Sequence, residues 1–124
     1  MAESKIIQVG DANVQVEFEA TGSNLRLTTT SLDGVILKEI KQSVDYGIII
    51  NYRGTYISSR GTESKTAENV NSLEFTKLPQ EEVTGDVHKI GLAYEKECVA
   101  TFELTAQDGS QEMASLSIDV PSPW

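Results

Sequence analysis

One imidazole, His88, and one thiol, Cys98, stand ten positions apart in a chain of 124 residues that has no other histidine or cysteine. Paired, they could make a nucleophile and its base, because a thiol attacks carbonyls once a neighbouring imidazole takes its proton. Contact between them requires the chain to turn back at "YEKE", residues 94–97. Without that turn, His88 is a ring near the start of a strand and Cys98 a small core hydrophobe, and the surrounding alternation favours this plainer reading.

Other catalytic parts are missing. A structural zinc site wants four Cys or His ligands, and the chain offers two. No glycine-rich run opens a helix, as a phosphate loop must. Glu17 and Glu19 lie two apart on the wet face of a strand, and Glu95 and Glu97 lie beside a turn. Glycosidic chemistry needs such carboxylates facing each other across a cleft. The expectation is a chain with no catalytic residue, no cofactor and no dedicated metal. Calcium is weighed and not favoured. It takes six to eight oxygens, whereas "VGDAN", "VTGDV" and "QDG" each expose one aspartate, a residue common in turns for its own backbone bonds.

A different chemistry is written in "YGIIINYRGTYISSRGTESK", residues 46–65, which holds two of the three arginines. Tyr52 and Tyr56 could stack a sugar ring, and Arg53 and Arg60 could fork an acidic partner surface. These four residues are the candidate ligand-binding set. The plainer alternative leaves both arginines as soluble decoration, with Gly54 and Gly61 at turn positions that other residues resist.

The net charge of -9 narrows the partners. Residues 1–62 carry six basic and seven acidic side chains, and residues 63–124 carry four and twelve. That field repels nucleic acid and anionic lipid, and it suits a basic protein or a divalent cation. A lone cysteine excludes an intrachain disulfide and leans toward a reducing compartment. "MAESKIIQVG" lacks the apolar region of a signal peptide, and no stretch reaches the 18 apolar residues of a membrane helix. Localisation stays open, and no membrane insertion is expected.

The elements that must position these residues repeat with a period of two. Val14, Val16, Phe18 and Ala20 face one way and Gln15, Glu17 and Glu19 the other. The same alternation runs through "NLRLTTT", "SLEFTK", "HKIGLAY", "CVATFELTA" and "ASLSIDV". Asp-Gly in "LDGV" and "QDGS" predicts hairpins, and "ATGSN", "VTGD" and "NYRGT" predict further turns. "TESKTAEN" reads as a polar, flexible stretch, with a short helical turn allowed at "KTAENV" or "PQEEV". The expected architecture is all-β: a single domain, 1–124, folded as an antiparallel β-sandwich of eight or nine strands, with a small β-barrel as the alternative.

"KIIQV" and "GIIIN" are the least polar strands, suited to burial on both faces or to an edge that pairs with a neighbour. Ile6, Ile7 and Ile49 are therefore candidate interface residues. Trp124 joins them, at the end of a tail, "VPSPW", that two prolines remove from any sheet. The leading functional expectation is a non-catalytic recognition module for a carbohydrate or a protein. A structural subunit that self-associates through edge strands is the alternative, and a small hydrolase ranks third.

Overall fold

The computed structural model describes residues 2–21, 24–52, 55–77, 87–92 and 97–119, with side chains over 2–20, 25–45, 62–76 and 98–118. Nine strands account for nearly all of them: β1 (Ala2–Val9), β2 (Ala12–Thr21), β3 (Asn24–Ser31), β4 (Leu37–Tyr52), β5 (Thr55–Val70), β6 (Ser72–Lys77), β7 (Val87–Leu92), β8 (Glu97–Thr105) and β9 (Gln111–Asp119). One sheet has the order β1-β2-β3-β6. The other has the order β5-β4-β8-β9, with β7 also paired to β4. Every pairing is antiparallel. The fold is an all-β sandwich, and the described strands close no barrel.

The alternation explains the core. Val14, Val16, Phe18 and Ala20 of β2 and Leu25 and Leu27 of β3 are buried from one sheet. Ile40 and Val44 of β4, Cys98, Ala100, Phe102 and Leu104 of β8, and Ala114, Leu116 and Ile118 of β9 meet them from the other. Removing this apolar surface from water is what holds the two layers together. Cys98 is 1% exposed and sits opposite Ile118, the packing role expected of it.

One polar link crosses the core. The hydroxyl of Thr29 on β3 donates to Oε1 of Gln42 on β4, and Gln42 Nε2 donates to the Leu27 carbonyl at 3.4 Å. Both side chains are fully buried. A buried amide is tolerated because partners on the opposite sheet replace its water.

Three expectations are corrected. "LDGV" does not close a hairpin, since β3 and β4 belong to different sheets and residues 32–36 carry the chain between layers. Gly34 does take the positive φ that Asp-Gly announces, +70°. The polar stretch "TESKTAEN" and the turn allowed at "KTAENV" lie within β5, paired with β4 from Thr62 to Glu68 and again at Val70. "PQEEV" lies outside the described residues. Finally, "GIIIN" is no edge. Ile49 faces Ser58 of β5 on one side and Gly91 of β7 on the other, so the backbone there is paired on both flanks. An apolar run with neighbours on both sides is what a central strand requires. "KIIQV" in β1 is an edge, bonded only to β2 among the described strands.

β4 and β5, at 16 residues each, are the longest strands. β8 pairs with β4 from Glu39 to Asp45, and β7 takes over on the same flank from Ile48 to Tyr52. One strand thus spans two successive partners. Near its other end the ladder skips one pair, Lys38 and Asn69, without a change of register, and Asn69 there has a φ of +56°. Asparagine tolerates that left-handed conformation better than most residues.

β1 begins, β2 ends, β3 begins and β9 ends at one end of the molecule, since Ala2 faces Glu19, Thr21 faces Asn24 and Asp119 faces Glu97. The opposite end is described in full. It carries the turns at 10–11, 32–36, 71 and 106–110.

Candidate functional site

The register separates the chemistry that the sequence placed together. β7 and β8 both run antiparallel to β4 along the same flank, so they point the same way and form no hairpin at "YEKE". Lys89, next to His88, faces Asn51, whereas Val99, next to Cys98, faces Asp45. The hairpin on which a histidine–cysteine contact would depend is not formed by β7 and β8, in keeping with the plainer reading of the two residues. Among the described residues, no group of three or more His, Cys, Asp or Glu is placed to hold a metal ion.

Tyr52 ends β4 opposite Thr55, and Tyr56 faces Asn51. Adjacent positions of an antiparallel ribbon belong to opposite faces, so Tyr52 and Tyr56 occupy different ones. Arg60 faces Gly47 and shares the face of Tyr56. β5 lies at the edge of its sheet in the described order. Arg53 and Trp124 lie outside the described residues. Ile6 is 61% exposed on the edge strand β1, and its neighbour Ile7 is half-buried against the core.

The described outer face of the second sheet is polar. A shallow groove of about 380 Å³ runs along it, lined by Glu39, Lys41, Glu103 and Met113. Lys41 Nζ lies 3.7 Å from Glu103 Oε2, and both side chains are about half exposed, so water screens the pair. Glu39 and Glu68 face each other across β4 and β5, a like-charge pair with no gain to offer. On the first sheet, Arg26 Nη2 meets Glu19 Oε2 at 2.6 Å. Glu19 is thus engaged in an ion pair rather than set against Glu17 across a cleft.

The fully described end is organised differently. Gly10 has φ +57° and opens the two-residue β1–β2 turn with Asp11, the positive φ at the first position that a type II′ turn needs. A Cβ built there would lie 3.0 Å from the Ala106 Cβ and 3.3 Å from both Asp108 carboxylate oxygens, so this turn lies directly against the β8–β9 turn. In that second turn the Gly109 amide donates to the Ala106 carbonyl, and the Ser110 amide donates to Asp108 Oδ1 at 2.8 Å. The bond from Ser110 holds the Asp108 carboxyl below the usual carboxylate range. The crossing segment is tied to the same place. The Leu32 amide donates to the Asn13 carbonyl at 2.8 Å, and Asn13 Nδ2 donates to Asp33 Oδ2 at 3.2 Å.

Three large aliphatic side chains are left in water on that pinned segment: Leu32 at 49%, Val35 at 39% and Ile36 at 50% exposure. Asp-Gly announces a hairpin in the sequence, and a hairpin tip gives no reason to single these side chains out. The available signal was "LDGVI" itself, with three aliphatics around a turn where polar residues are usual.

No family model matches the chain, and no curated protein matches it. Among solved structures it is similar to Spo0M, a sporulation control protein from Bacillus subtilis, at 17% identity and a TM-score of 0.33. The match covers 98% of this chain and 49% of that one, so the chain spans about half the length of Spo0M. It is also similar to the Northeast Structural Genomics Consortium target SoR45, at 11% identity and a TM-score of 0.32, covering 98% of this chain and 84% of that one.

Proposed function

We infer that the chain is a non-catalytic recognition module whose ligand, a carbohydrate or a protein, meets the long β4–β5 ribbon around Tyr52, Arg53, Tyr56 and Arg60. One observation carries the reading: the register puts Tyr56 and Arg60 on the same face of an edge strand. A ring and a guanidinium four positions apart on one face are suited to a sugar or to an acidic side chain. Tyr52, at the end of β4, and Arg53, next to it in the sequence, complete the set. A glycan array combined with an Arg53→Ala, Tyr56→Ala double variant tests this, with Arg60→Ala as a second variant. The reading expects loss of the detected interaction, and full retention by both variants discards the site.

The second reading is an assembly subunit, favoured by the exposed Ile6 on an edge strand. An unpaired edge carrying an exposed aliphatic is a template for another strand. Light scattering at micromolar concentration separates the two. A 13.5 kDa particle is the monomer, and anything larger supports assembly.

A further inference from the structure

We propose that the Gly10 end of the sandwich is a second interaction surface, one that receives a cationic, partly apolar segment of a partner protein. The contact side chains are Leu32, Val35 and Ile36, and the charge comes from Asp11, Asp33 and Asp108.

The apolar part is built rather than incidental. Three large aliphatics within five residues are all at least 39% exposed, while 20 apolar residues among the described ones are buried. Scattered single hydrophobes are ordinary on a protein surface, but a group on one short segment marks a contact. The segment is held in place at both Leu32 and Asp33 by Asn13, so its side chains are presented on a fixed backbone. Binding to a fixed backbone avoids the entropy of ordering a loop.

The charge selects the occupant. The turns bearing Asp11 and Asp108 touch at Gly10, and Asp33 is bonded to Asn13 two positions beyond Asp11. Asp108 is held ionised by the Ser110 amide. Lys38, just past the segment, is the basic group nearest in sequence, and Glu39 and Glu68 lie beside it on the adjoining sheet face. A second copy of the chain would bring the same carboxylates against these. An anionic bilayer would be repelled likewise. Lysine or arginine interleaved with aliphatic residues satisfies both parts of the surface at once.

The test is a random peptide library displayed on phage, panned on the full chain and counter-selected on a Leu32→Ser, Ile36→Ser variant. Both positions are exposed, and circular dichroism confirms that the variant folds. Enriched peptides should combine Lys or Arg with apolar residues. Synthesised singly, they should bind the wild type about tenfold or more tightly than the variant, weaken with salt and weaken again with Asp11→Lys. Enrichment of neutral or acidic peptides overturns the proposal, as does enrichment of none. So does binding that follows Tyr56 and Arg60 instead of Leu32 and Ile36, which would support the ribbon site alone. Self-association through this end, or uptake by phosphatidylglycerol vesicles that Ile36→Ser abolishes, would likewise replace it.

Discussion

Gln42 shows what one side chain decides when it is buried among apolar neighbours. Gln42→Ala leaves the Thr29 hydroxyl without its acceptor in a dry layer, and a loss of about 1–3 kcal/mol is expected in urea unfolding. The double change Thr29→Val, Gln42→Leu removes both partners together and should cost far less, because nothing polar is then stranded. Gly10→Ala tests the contact between turns. Its positive φ and the close Ala106 Cβ together predict a loss of about 1–2 kcal/mol. Asp108 gives a pH signature. The Ser110 bond depresses its folded pKa, so its stabilisation is complete above the ordinary value of 3.8 and fades as pH falls through the lower folded value. Asp108→Asn keeps the acceptor and removes the charge. It should melt below wild type at pH 7 and approach wild type near the acid limit.

At the scale of elements, what the sequence disclosed follows from which forces are local. Alternation in β2, β8 and β9 was legible because each strand has one buried and one wet face, and a period of two records that directly. β5 was not legible. Its described half has only Ala67 and Val70 half-buried against the core, so its strand state comes from pairing with β4, which no local pattern announces. Asp-Gly reported a positive φ at Gly34 and Gly109 alike, yet only the second closes a hairpin. The dipeptide fixes a backbone conformation and leaves open which sheet receives the chain next. The candidate ribbon residues were found by type, but their division between faces depends on register, which appears only once β4 and β5 are aligned. The edge strand offers its own test. Ile6→Lys should change stability by no more than about 0.5 kcal/mol, since the side chain is exposed. If the chain self-associates through β1, the same change should dissociate it in sedimentation.

For the whole molecule, charge imbalance sets the behaviour. A chain at -9 repels itself when compact, and the described ion pairs are few and exposed. Added salt should therefore raise the melting temperature across the first tenths of a molar, where screening acts most strongly. A fall instead would mean that attractive pairs dominate. The strand directions carry one more consequence. β1 starts and β9 finishes at the end opposite Gly10, since Ala2 faces Glu19 and Asp119 faces Glu97. A tether fused before Ala2 or after Asp119 departs from the same side. Copies strung in tandem, or anchored to a bead through either of these positions, would hold their Leu32 ends away from the tether. A multivalent display of this chain should gain avidity for a repetitive cationic target through linker length alone, without any change to the contact itself.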